Sequence, residues 1–140
     1  MSLYLDASVL VTLFVIDPSS ACAEAFLSAH PEIVVVSDLG GAEFSSAVGR
    51  RVRTRDLTRE DGQLAFSNFD TWVARSAYRE EITTADIDAA NRILRCLDIN
   101  LRTPDAVHIA ISRRLDATLV TFDRSMAADA RALGTAVATP

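Results

Sequence analysis

Four acidic residues, Asp6, Glu43, Asp105 and Asp123, stand where short apolar runs end or helical patterns begin. Asp6 directly follows Leu3-Tyr4-Leu5, and Asp123 closes Leu119-Val120-Thr121-Phe122. Glu43 lies about two helical turns beyond Ile33-Val34-Val35-Val36, and Asp105 falls in the first turn of a helix opened by Thr103-Pro104. Each acid has a local explanation. A carboxylate at a helix start caps free N–H groups and complements the dipole for about 0.3–1 kcal/mol, and a helical glutamate is ordinarily solvated surface. Together they mean more: four carboxylates in one pocket repel one another, raise the pKa of at least one member and require a positive partner. An all-oxygen set of few carboxylates suits Mg2+ or Mn2+, which retain several waters, whereas zinc favours cysteine and histidine ligands. Such an ion activates water and screens the charge of a phosphodiester, and a second would stabilise the leaving oxygen. Ser8 and Thr121 are placed either to orient these carboxylates or to act as an ordinary cap and a strand-favouring threonine.

The elements that must position these acids alternate. Short apolar runs at residues 2–5, 33–36, 80–83, 118–121 and 135–138 read as strands, that at 80–83 in a lesser role. Helical patterns cover residues 7–14, 19–29, 38–52, 58–76, 84–97, 104–114 and 124–133. With no internal repeat or break, this predicts one α/β domain over residues 1–140. Strands joined by helical crossovers pair in parallel, so their C-terminal ends share one edge, where open sheets bind ligands. All four acids are therefore expected at that edge. Thr103 and Pro104 read as N-cap and first helical residue, and Gly134 as the residue closing the final helix. Ile87, Ala90, Leu94 and Leu97 draw one apolar stripe, predicted to bury itself on the sheet.

Composition removes other chemistries. All 14 basic residues are arginine, against 19 acids, for a net charge of −5. Without lysine there is neither Schiff-base catalysis nor a P-loop, and net acidity disfavours indiscriminate polyanion binding. A haloacid-dehalogenase-like phosphatase would need a second aspartate where Ser8 stands, and a receiver domain would need lysine and paired acids. The N-terminus has no basic region, and its apolar stretch at residues 7–16 is too short to span a bilayer, which predicts a cytoplasmic protein with no membrane segment. Cys22 and Cys96 lack metal-type spacing and read as reduced thiols packed within helices.

Other residues admit two readings. Arg50, Arg51, Arg53, Arg55 and Arg59 either bind nucleic-acid phosphates beside the acids or form a solvated helix end paired with Asp56 or Glu60. Phe66, Phe69, Trp72 and Val73 are either core or part of a partner groove. His108, one turn after Asp105, either reaches the metal site or a nucleic-acid phosphate, or is a structural histidine. His30 invites no functional reading, and Asp86 and Asp88 suit a helix start without further role.

The strings YLDASVL around Asp6, SDLGGAEFSSA around Glu43, TPDAVHIA at Asp105 and LVTFD ending in Asp123 resemble the four acidic motifs of PIN-domain nucleases, in order and spacing. The small size and the DAVHIA form of the third motif are similar to the VapC toxins in particular. The match runs from Tyr4 to Asp123 and on through the last helix and strand. The resemblance implies an α/β/α sandwich whose central parallel sheet has about four to five strands. It implies a Mg2+- or Mn2+-dependent endoribonuclease that cuts a structured RNA, often a tRNA, as the toxin of a toxin–antitoxin pair. By motif position Asp6 and Asp105 are the principal metal ligands, Asp123 completes the cluster, and Glu43 is a ligand or a water-positioning base. A homodimer is implied too, with a cognate VapB-type antitoxin whose C-terminal segment lies across the site. The competing reading is a PIN-like module that binds RNA or protein without cutting; retention of all four acids stands against it. One departure, Gly40-Gly41 before Glu43, predicts a delayed helix start or close approach of another backbone, and leaves the aim of Glu43 open.

Overall fold

The computed structural model describes residues 1–140. The chain runs β1 (Ser2–Leu5), α1 (Ala7–Phe14), α2 (Ser20–Ala29), β2 (Ile33–Ser37), α3 (Asp38–Arg53), α4 (Arg59–Ser76), β3 (Ala77–Glu80), α5 (Thr84–Leu94), α6 (Thr103–Arg114), β4 (Thr118–Val120), α7 (Arg124–Ala132) and β5 (Val137–Ala138). All five strands are parallel, in the order β3-β2-β1-β4-β5. The chain first winds outward from β1 to β3, then crosses back to β4, so β1 and β4 flank the point where the winding reverses. Right-handed crossovers put the helices of the two windings on opposite faces, and the result is a three-layer α/β/α sandwich.

The strands show why both layers are apolar. Leu3, Leu5, Val36 and Val120 face one core with Val9, Leu10, Phe44, Val48 and Phe69 from the α1, α3 and α4 layer. Tyr4, Val35 and Leu119 alternate to the other face, with Ala90, Ile93, Ile109, Ile111 and Met126 from α5, α6 and α7. The aromatic stripe of α4 is core: Phe44 and Phe69 stack at 4.3 Å, and Phe14 meets Phe69 and Trp72 edge-on at 5.6 and 5.5 Å. Gly40 and Gly41 lie inside α3, which begins at Asp38 without delay. α3 does lie against the end of β1, but a Cβ on Gly40 would make only ordinary van der Waals contact with the Leu5 carbonyl oxygen, at 3.5 Å, so the packing does not require a glycine there.

Three sequence expectations shift. β3 occupies Ala77–Glu80 rather than residues 80–83, following α4 without a loop. It is an edge strand whose Tyr78 and Arg79 are exposed, so no apolar run marks it. α5 ends at Leu94, and its stripe does not bury on the sheet: Leu97 is 94% exposed and Ile87 is half-exposed. The buried face is instead Asp86, Ala90 and Ile93, packed on α6. The N-cap of α6 is Arg102, one residue before the expected Thr103, so Pro104 is the second helical residue.

Gly134 does close α7, at φ 78°, with its N–H on Arg131 O and that of Thr135 on Ala130 O, both at 2.9 Å. Cys22 and Cys96 are unpaired, as expected, but exposed rather than packed. No helix is long and apolar enough to cross a membrane.

Candidate active site

At the reversal between β1 and β4, the backbone N–H of Asp6 bonds Val120 O at 3.2 Å, which places its side chain at the carboxyl end of both strands. Asp6 is the N-cap of α1. Its Oδ1 accepts from Ser8 Oγ at 2.6 Å and Val9 N at 3.3 Å, and its Oδ2 accepts from Thr121 Oγ1 at 2.7 Å. Only 4% of the residue is exposed. Burial pushes its pKa above the ordinary aspartate value, and the Ser8 and Thr121 hydroxyls partly offset this. None of the protein's ion pairs includes it. The two hydroxyls also accept from the next loop: Ser8 Oγ from Phe122 N and Thr121 Oγ1 from Asp123 N, each at 2.9 Å. Both therefore orient one carboxylate, that of Asp6, and fasten the β4 end to it.

The other acids are aimed by their caps. Asp123 caps α7, its Oδ1 accepting from Met126 N at 3.0 Å. Asp105 Oδ2 accepts from Arg102 N at 3.2 Å and lies 3.5 Å from Arg102 Nε. Local capping and a shared site are thus not alternatives here, since the capping bond sets the direction of the carboxylate. Glu43, in the second turn of α3, meets His108 Nε2 through Oε1. His108 is buried in α6, and its Nδ1 lies 2.7 Å from the hydroxyl of Tyr4. Burial raises the pKa of that hydroxyl well above the usual phenol range.

Asp6, Glu43, Asp105 and Asp123 line a single cavity of about 630 Å3. Arg50, Arg51 and Arg53 from the end of α3, with Arg102 from the start of α6, line it too; Arg55 and Arg59 do not. The pairing of this cluster with Asp56 or Glu60 is absent, and Arg51 reaches Asp17 at 3.4 Å instead. Arg102 and Asp17 were missed as site residues; only the position of Arg102 next to Thr103-Pro104-Asp105 could have marked it. No three carboxylate, imidazole or thiol groups converge closely enough to clasp a metal ion by themselves. The acidic donors that line the cavity are carboxylate oxygens, the ligand type that hard divalent ions such as Mg2+ and Mn2+ take.

A parallel sheet that reverses its winding beside a cavity lined by four carboxylates defines an α/β domain with an acidic site at its switch point, and family comparison sharpens this. Residues 3–131 match the PIN domain model, and the chain belongs to the PIN-domain family. It is 31% identical over 143 residues to Ribonuclease VapC46 of Mycobacterium tuberculosis, covering 99% of this chain and 98% of that protein. The fold is similar to M. tuberculosis VapC20, described as a Sarcin-Ricin loop cleaving toxin, with TM-score 0.73, 18% identity and 95% of each chain covered. It is also similar to VapBC2 from Rickettsia felis bound to a DNA fragment from their promoter, with TM-score 0.74, 15% identity, and 100% and 99% covered.

Proposed function

We propose that this protein is a Mg2+- or Mn2+-dependent endoribonuclease that hydrolyses phosphodiester bonds of a structured RNA, tRNA among the candidates, as the toxin of a toxin–antitoxin pair. The observation that carries the reading is the buried, ion-pair-free Asp6 carboxylate on a cavity shared with Glu43, Asp105 and Asp123. Holding that charge out of water is unfavourable unless a cation completes the site. Asp6 and Asp105 would hold the ion, with Asp123 completing its surroundings. When bound, the ion would activate water and neutralise charge on the phosphate.

The chain's own residues divide the remaining work. Glu43, a lining residue of the cavity, positions the attacking water or adds a ligand, with Oε1 held by His108. Ser8 and Thr121 keep both oxygens of Asp6 in register. Arg50, Arg53 and Arg102 meet RNA phosphates on either side of the acids, which reconciles a polyanionic substrate with a net charge of −5. The VapC46 likeness supports ribonuclease activity, and the VapBC2 complex, whose fold this chain shares, supports a partner antitoxin of the VapB type; that its C-terminal segment covers the site is part of the proposal. A homodimer belongs to the same reading.

The test is cleavage of total tRNA by purified protein in Mg2+ or Mn2+, beside EDTA and an Asp105→Asn variant. Discrete products that disappear in both controls are expected. No cutting, with thermal stability indifferent to the metal, would replace the enzyme with a binding module.

A further inference from the structure

The Glu43 carboxylate is held by a chain of buried polar groups that the four acids do not account for. Gly40 N–H donates to Ser37 Oγ at 3.1 Å, Ser37 Oγ lies 2.6 Å from the Tyr4 hydroxyl, and that hydroxyl lies 2.7 Å from His108 Nδ1. His108 Nε2 then meets Glu43 Oε1. The relay joins the cap of α3, the middle of β1 and the second turn of α6, and its three interior residues are at most 2% exposed.

Hydrogen counting gives the relay a direction. An ionised carboxylate only accepts, so Nε2–H donates to Glu43; a neutral imidazole then offers Nδ1 as acceptor to the Tyr4 O–H. The Ser37 O–H supplies the remaining link, and every hydrogen has a use. A second proton on Nδ1 would turn the Tyr4 O–H back onto Ser37 and leave the buried Ser37 hydrogen without an acceptor.

We propose that His108, locked by Tyr4 in the tautomer protonated at Nε2, is a positioning residue that pins Oε1 of Glu43 and thereby presents Oε2 to the reacting centre. This rests on the nuclease reading for its catalytic consequence, but not for its geometry. Glu43 is one-third exposed on a helix, and without the imidazole its carboxylate would sample several rotamers. The arrangement is the counterpart, across the cavity, of the two hydroxyls that hold Asp6.

A matched pair of variants separates positioning from packing. Glutamine carries its amide N–H to the place of Nε2, whereas asparagine reaches only the place of Nδ1. His108→Asn is expected to lower kcat for RNA cleavage and weaken Mn2+ affinity, measured by calorimetric titration, by about tenfold or more, with KM for RNA within roughly twofold; His108→Gln should stay within about threefold of the parent in both. Equal effects of the two substitutions, or a folded His108→Asn protein with parental kcat and Mn2+ affinity, would overturn the proposal. Long-range 1H–15N spectra of the metal-free parent supply a readout independent of activity. They should show His108 neutral with its proton on Nε2, and loss of that single-tautomer pattern in Tyr4→Phe; a proton on Nδ1 in the parent would refute the relay. If the parent cuts no RNA, the nuclease reading fails while these spectra still decide the geometry.

Discussion

Asp6 shows how a few atoms turn a strand end into a reactive position. Three donors hold its carboxylate, two of them hydroxyls that also accept from the backbone after β4. Replacing Thr121 with valine keeps the shape but removes the bond to Asp6 and leaves Asp123 N–H unpaired. Such changes cost about 10–100-fold in metal affinity or activity, and an unsatisfied buried group costs about 1–3 kcal/mol. Thr121→Val should therefore lose both cleavage rate and melting temperature, while Thr121→Ser recovers the rate; parental kinetics in the valine variant would show that the hydroxyl does not orient Asp6. The Thr121 bond to Asp6 spans 115 positions, but the Ser8 bond was legible early, because a carboxylate and a hydroxyl two residues apart at a strand end are local in sequence. The His108 relay was not, since its links join residues 33 and 104 positions apart and only the fold brings them together.

Among the elements, α5 shows where periodicity misleads. Hydropathy favoured a stripe through Ile87 and Leu97, whereas the buried face carries Asp86, which no hydrophobic pattern selects. Asp86 closes a capping box with Thr83 and takes Arg114 through Nε at 2.7 Å and Nη2 at 3.0 Å, while Arg114 Nη1 reaches Glu80 at 2.7 Å. One guanidinium thus ties the end of α6 to the start of α5 and the end of β3. Despite desolvation by burial, the Arg114 bonds and the capping box hold the Asp86 pKa below its ordinary value. A carboxylate depressed in the folded state binds fewer protons folded than unfolded, so its stabilisation is full above about pH 4 and is lost as pH falls through the folded value. Arg114→Ala should cost about 3 kcal/mol at neutral pH by stranding a buried charge. Urea unfolding at a series of pH values should then show a shallower acid decline in the variant than in the parent; parallel declines would remove Asp86 as the cause. β3 was placed three residues late, at 80–83, for a related reason: an edge strand bearing Tyr78, Arg79 and Glu80 has no apolar signature.

The whole molecule resolves an apparent conflict between an acidic chain and an RNA substrate. Arg50, Arg53 and Arg102 line the same cavity as the acids, so phosphate recognition is local. Replacing Arg50 and Arg53 by alanine should weaken RNA binding and flatten its log–log salt dependence by about 1.4, since each phosphate contact contributes about 0.7 for single strands. An unchanged slope would return these arginines to the solvated helix end. The α/β class and the shared sheet edge followed from alternation and from the parallel crossovers it requires, and the strand order then placed Asp6 and Asp123 on either side of the reversal. Asp6 is the hinge of the account, because its pKa is raised by burial: the folded state binds more protons than the unfolded, and stability falls as pH rises through that folded value. A cation would relieve this, and so would loss of the charge. The decisive measurement is thermal unfolding of parent and Asp6→Asn at neutral pH, each with and without Mn2+. The expected result is an Asp6→Asn protein that melts a few degrees higher than the metal-free parent and no longer responds to Mn2+, while Mn2+ raises the parent. Equal Mn2+ responses in the two proteins would contradict the metal site at Asp6.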